Sequence, residues 1–202
     1  MTGAVLAGGA ARRYGGQPKG LLTIGGRRIL DRVVDLLGAV TGREPVLIAN
    51  AADAATWRPD LHTIPDARPG LGTLGGIFTA VTAAAGRRTL CLAWDMPFLP
   101  AELLRALLAK AASGSFDAVL PESEGRRGLE PLCAVYGPAC APAIARRLDQ
   151  GDLKAIAFHP DVRVGILPLA EVQRFGDPAE LFFNVNTPDD LARAEAIWQR
   201  RG

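Results

Sequence analysis

The chain has 202 residues, of which 49% are hydrophobic and 22% charged, a composition that can bury a core and lies far from that of disordered polymers. Its 23 basic and 21 acidic residues leave a formal charge of +2, which excludes a whole-molecule field that would draw it to nucleic acid or a membrane surface, so any anion must be bound locally. No apolar run reaches the ~20 residues of a membrane span, no leader-like pattern opens the chain, and Cys91, Cys133 and Cys140 lack zinc-like spacing, so buried thiols in a reduced, cytoplasmic compartment are expected.

In chain order, apolar runs of strand length alternate with longer segments of helical period. Strands are expected at Gly3–Ala7, Pro45–Ala49, Leu61–Ile64, Thr89–Ala93, Asp117–Leu120, Leu132–Tyr136, Val162–Leu167 and Phe182–Val185. Several are apolar throughout, as strands covered on both faces are. Helices are expected at Arg27–Val40, Leu74–Ala85, Ala101–Ala112, Pro138–Asp149 and Pro188–Arg200. In the first of these, Ile29, Leu30, Val33, Val34, Leu37 and Val40 form an i, i+3, i+4 stripe. The last opens with Thr187 at the N-cap, Pro188 at the first helical position and Asp189 and Asp190 in the first turn. This alternation predicts an α/β fold, a three-layer αβα sandwich on a mostly parallel, Rossmann-like sheet. A chain of this length buries roughly 70% of its extended surface, so one domain over 1–202 is expected. In such a fold, chemistry gathers where loops leave the carboxyl ends of the strands.

The first such loop is "VLAGGAARRYGGQPKGLL", which sets five glycines, Arg12, Arg13 and Lys19 directly after the first strand. Glycines let a ligand approach the main chain, and amide hydrogens interleaved with cations bind phosphate oxygens. A triphosphate fits that pattern, although no Walker A sequence is present. A loop whose glycines only make turns is the alternative. Further on, Gly70 to Gly75 satisfies G-x-G-x-x-G and Asp95 follows twenty residues later, as in a nicotinamide-dinucleotide fold. Pro65 to Pro69 intervene before Gly70, however, so that loop does not close directly off a strand. The run "LCLAWDMPFLP" carries Asp95 to a strand tip, where a carboxylate either holds a hard cation such as Mg²⁺, caps a helix, or pairs with an arginine. His62 and His159 are isolated and carry no histidine-centred mechanism.

Taken together, L-A-G-G-x-x-x-R at Leu6–Arg13, K-G-L at Lys19–Leu21, the glycine-rich segment after Asp66, D-M-P-F-L-P at Asp95–Pro100, P-L-C-A-V-Y at Pro131–Tyr136 and F-N-V-N-T-P-D-D-L at Phe183–Leu191 resemble the molybdenum cofactor guanylyltransferase family nearly end to end. The resemblance implies a fold of the nucleotide-diphospho-sugar transferase type. It also implies transfer of GMP from GTP to molybdopterin with release of pyrophosphate, assisted by Mg²⁺. The residues it implies for nucleotide binding are Leu6, Ala7, Gly8, Gly9, Lys19, Asn50, Asp66, Gly75 and Asp95. Lys19, Asp95 and Arg13 would serve catalysis and Asp95 would hold the metal, while Gly128 to Pro131, Asn184 and Asn186 would either face the pterin or serve only as turn and cap residues. Transient contact with proteins that supply molybdopterin or receive the product is implied as well. Two departures bear on the base pocket: Thr73-Leu74-Gly75-Gly76 stands where the family usually has Pro-Leu-Ala-Gly, and Trp94 stands where Cys is common. They keep open a relative that uses CTP on molybdopterin or another nucleotide on a sugar phosphate, and a nucleotide-binding regulator without turnover is the third reading.

Overall fold

The central apolar runs become strands here because they alternate their side chains between two covered faces. The computed structural model describes residues 1–8, 18–125 and 128–201. In chain order the strands are β1 (Thr2–Ala7), β2 (Thr23–Ile24), β3 (Arg27–Arg28), β4 (Val46–Ala49), β5 (Thr63–Ile64), β6 (Thr89–Ala93), β7 (Ala118–Pro121), β8 (Cys133–Tyr136) and β9 (Val164–Leu167). The helices are α1 (Ile29–Thr41), α2 (Ala54–Trp57), α3 (Gly72–Ala83), α4 (Ala101–Ser113), α5 (Cys140–Asp149), α6 (Leu169–Val172), α7 (Pro178–Leu181) and α8 (Pro188–Arg201).

Seven strands make one sheet in the order β5-β4-β1-β6-β8-β7-β9. All neighbours are parallel except β8, which runs antiparallel to both β6 and β7. On β1, Val5 and Ala7 point into a core shared with α1 and α4, and Ala4 and Leu6 into one shared with α3 and α5. On β6, Leu90 and Leu92 share the first core and Cys91 the second, the period of two expected of a strand covered on both faces. These are the three layers of the sandwich. The stripe of α1 is buried as the sequence implies, through Ile29, Leu30, Val33, Val34 and Leu37. The helix stops at Gly42, whose left-handed backbone (φ 69°) lets its N–H donate to Gly38 O at 2.9 Å. Cys91, Cys133 and Cys140 are buried free thiols, as expected, and burial pushes Cys91 up to about 12.

Two expectations need correction. Phe182–Val185 is not a strand. Phe182 and Phe183 close the turn after α7 by donating to Pro178 O and Glu180 O, and the segment then crosses the end of the sheet, touching it through Val185 N to Asp95 O at 3.0 Å. Its apolar character comes from packing, since Val185 is fully buried. The first helix begins at Ile29 because Arg27 and Arg28 belong to a hairpin with Thr23 and Ile24, turned by Gly25 and Gly26 at positive φ. Among the described residues no helix is long and apolar enough to cross a membrane.

His159 sits edge-on to the buried Phe158 ring at 5.0 Å, and burial lowers its pKa to about 4. The folded value lies below the ordinary ~6.5, so the unfolded chain takes up the proton first and stability is lost as pH falls from about 6.5 to 4. Urea midpoints at pH 7 and pH 4.5 should therefore differ more in the wild type than in His159→Gln. Equal pH sensitivity in the two proteins would remove His159 from the account.

Candidate active site

A cavity of about 1070 Å³ opens at the carboxyl ends of β1, β4 and β6. β1 runs out into its wall through Leu6, Ala7 and Gly8, β4 through Ile48 and the following Asn50, and β6 through Ala93, Trp94 and Asp95. The loop after β5 adds Asp66 and Gly70, and the start of α3 adds Gly72, Thr73 and Gly76. Lys19 enters from a single 3-10 turn, Lys19–Leu21, and Leu132, Asn184 and Asn186 close the far side.

Asn50 and Asp66 hold each other. Asn50 Nδ2 donates to Asp66 Oδ2 at 2.6 Å, and Asp66 N donates to Asn50 Oδ1 at 2.8 Å, which ties the exits of two neighbouring strands together. The next amide, Ala67 N, donates to Thr79 Oγ1 at 2.9 Å, and that hydroxyl donates to Gly75 O within α3. The loop is thus fastened to the helix it precedes. Gly70 and Gly72 adopt left-handed backbone (φ 83° and 63°), and no side chain caps the first turn of α3, so its leading amide groups are available to a ligand in the cavity.

Asp95 and Lys19 are both only 8% exposed, and neither is found this deep without a partner or a purpose. Burial pushes the Asp95 carboxyl up to about 6, and the Lys19 charge offsets part of that. Lys19 Nζ donates to Asn186 Oδ1 at 2.6 Å. Asn186 is held in turn by Asp190, whose Oδ2 accepts from the amides of Asn186 and Thr187 at 3.0 and 2.9 Å, while Asp190 N donates back to Thr187 Oγ1 at 3.1 Å. The segment "NVNTPDDL" therefore encodes a reciprocal helix cap that fixes the asparagine under Lys19.

Of the residues singled out from the sequence, Leu6, Ala7, Gly8, Lys19, Asn50, Asp66 and Asp95 meet around one cavity. Gly9 and Arg13, with Arg12, Gly15 and Gly16, lie outside the described residues. Gly75 is not on the cavity wall: it is buried in α3, where an added Cβ would lie 3.1 Å from Leu71 Cβ, and Gly76 faces the space instead. Among Gly128 to Pro131, none lines the cavity, and Leu132 just after them does. Asn184 and Asn186 do line it, but Asn186 is engaged with Lys19. Trp57 was not foreseen; it stacks on Trp94 with centroids 5.1 Å apart, and only its apolar size distinguishes it in the sequence. Among the described residues no group of three or more His, Cys, Asp or Glu is gathered as a metal cage.

Residues 3–163 match the family model of the MobA-like NTP transferase domain. The chain is 37% identical over 196 residues to a Pelotomaculum thermopropionicum protein named "Probable molybdenum cofactor guanylyltransferase", covering 97% of this chain and 92% of that one. It is 33% identical over 197 residues to the molybdenum cofactor guanylyltransferase of Desulfosudis oleivorans, covering 97% and 95%. Among solved structures, the molybdopterin-guanine dinucleotide biosynthesis protein A of Archaeoglobus fulgidus superposes with a TM-score of 0.82 at 29% identity, over 99% of this chain and all of that one. The sheet order and layers are those of the nucleotide-diphospho-sugar transferase fold. With fold, cavity and near full-length similarity in agreement, the chain belongs to the MobA-like NTP transferase family and is a nucleotidyltransferase.

Proposed function

We propose that this chain, acting as one domain, transfers GMP from GTP to molybdopterin, giving molybdopterin guanine dinucleotide and pyrophosphate. The observation that carries the reading is the convergence, on one cavity, of a buried cation and a buried carboxylate with the uncapped start of α3 and the Asn50–Asp66 pair. At about 1070 Å³ the space is large enough for a nucleotide with its acceptor beside it.

In this reaction a phosphate oxygen of molybdopterin attacks the α-phosphorus in line. A new P–O bond forms, the bond from the α-phosphorus to the oxygen bridging it to the β-phosphorus breaks, and that oxygen leaves with pyrophosphate carrying the negative charge. No covalent enzyme intermediate is required, so positioning and charge neutralisation carry the acceleration. Lys19 would meet the departing phosphates by moving its ammonium from Asn186 Oδ1 to phosphate oxygen, and Arg13 would add a second positive charge. Asp66 has a carboxylate oxygen beyond its bond to Asn50, suited to accept from a ribose hydroxyl. The leading amides of α3 would donate to guanine O6, and main-chain groups at Leu6–Gly8 would complete the base pocket.

The donor set fits Mg²⁺. Asp95 is one buried carboxylate whose charged form is disfavoured by burial, and Mg²⁺ characteristically takes one or two carboxylates and completes its shell with phosphate oxygens and water. Asp95 would hold the ion, which when bound supplies neutralisation of the phosphate charge.

Thermal shift with each of GTP, CTP, ATP and UTP in Mg²⁺ tests the reading. GTP at about a hundred times its dissociation constant adds roughly 2.7 kcal/mol of stability and should raise the melting temperature most. A larger rise with CTP or ATP would overturn the guanylyl assignment.

A further inference from the structure

We infer that Trp94 is a positioning residue that sets where Lys19 meets the triphosphate, an inference that rests on the transfer reaction proposed above. Trp94 is 4% exposed and precedes Asp95 at the tip of β6. Its indole touches the main chain of Gly20, the residue after Lys19. A Cβ built on Gly20 would lie 2.4 Å from Trp94 Cε3 and 2.8 Å from Cδ2, distances no real Cβ tolerates, so the backbone at 20 rests flush on the six-membered ring and only glycine allows it. The same indole stacks on Trp57 at 5.1 Å and 21°. Trp57 is itself fixed, donating from Nε1 to Asp53 Oδ2 at 3.1 Å and accepting at its carbonyl from Arg28 Nη1 at 3.1 Å, with Arg28 doubly bonded to Asp31.

These contacts close a ring. Lys19 Nζ binds Asn186; the neighbouring Val185 N donates to Asp95 O; Asp95 follows Trp94; and Trp94 supports Gly20, which follows Lys19. Asn186 holds the lysine at its head and Trp94 holds it at its root. Without the indole, a space opens under the Lys19–Leu21 turn and the lysine loses the support at its root that, with Asn186 at its head, sets where the ammonium sits. Displacements of about 1 Å near a reacting centre cost on the order of 10²-fold. The ring, and not its N–H, supplies the support: Trp94 Nε1 is buried without a hydrogen-bond partner among the described residues. Phenylalanine should therefore replace it.

The test measures dissociation constants for GTP and guanosine, in Mg²⁺, for the wild type, Trp94→Phe, Trp94→Ala, Lys19→Ala and the Trp94→Ala/Lys19→Ala double variant. Trp94→Ala should weaken GTP about tenfold or more while guanosine stays within about threefold. Adding Lys19→Ala should cost little more, because both changes remove one interaction. Trp94→Phe should stay within about threefold of the wild type for both ligands. Additive losses in the double variant, equal loss of GTP and guanosine in Trp94→Ala, or a Phe variant as weak as the Ala variant would each overturn the inference. If Trp94→Ala melts below the assay temperature, Trp94→Leu takes its place in the same comparison. A wild-type chain that prefers another nucleoside triphosphate refutes the guanylyl reading alone, and the cycle is then run with that nucleotide and its nucleoside.

Discussion

Replacing Asp95 by Asn should keep the fold and lower turnover by at least about 10² to 10³, the cost of removing one preorganised electrostatic contact in a sequestered site. The amide keeps the shape of the carboxylate and loses the charge that would hold the cation and, with Lys19, organise the phosphates. Stability should move the other way. The folded-state value of about 6 lies above that of an unfolded aspartate, so the stabilising contribution of this group is full at low pH and is lost as pH rises through about 6. Asparagine has no charge to desolvate, and at pH 8 the variant should melt at or above the wild-type temperature. Rates fix the role of Asp95 and melting curves exclude misfolding. A variant that keeps more than about a tenth of the wild-type rate would remove the carboxylate from the mechanism.

Lys19→Ala should weaken GTP by roughly 10- to 100-fold, since a hydrogen bond to a charged group contributes about 1.5–3 kcal/mol, and should leave guanosine almost unaffected. Lys19 is buried and tied to Asn186, apart from the Asn50–Asp66 pair, so on the proposed roles its loss should fall on the phosphates and not on the nucleoside. Calorimetric titration of both ligands decides this. Equal weakening of the two would place the lysine elsewhere in the complex.

What could be read from the sequence was what local periodicity encodes. β1 and β6 were legible as continuous apolar runs because both sheet faces are covered, and α1 because its stripe repeats with helical spacing. The cap at Thr187 and Asp190 was legible because its partners lie three residues apart. The hairpin at Thr23–Arg28 has strands too short to show alternation, and Gly25-Gly26 was its one sign. Phe182–Val185 reads as a strand because burial alone makes a segment apolar, whatever its backbone does. The choice between Gly75 and Gly76 turned on about 100° of helix rotation, which a motif match does not contain. Lys19 and Asn186 are 167 positions apart, and the Gly20–Trp94–Trp57 packing likewise joins separate segments, so both arise only once the strand order has been set.

Base identity is where the sequence and the site press hardest on the account, because Thr73 and Gly76 line the cavity in the segment that departs from the usual family pattern. A pocket that pairs the polar edge of guanine leaves its own buried groups unpaired when another base enters, a discrimination of roughly 10² to 10⁴. The decisive measurement is a competition assay in which GTP, CTP, ATP and UTP are offered together with molybdopterin and Mg²⁺, and the nucleotide incorporated into the dinucleotide product is identified. The account predicts that GMP is incorporated at least about a hundredfold faster than any other nucleotide. Incorporation of CMP as fast as GMP would contradict it.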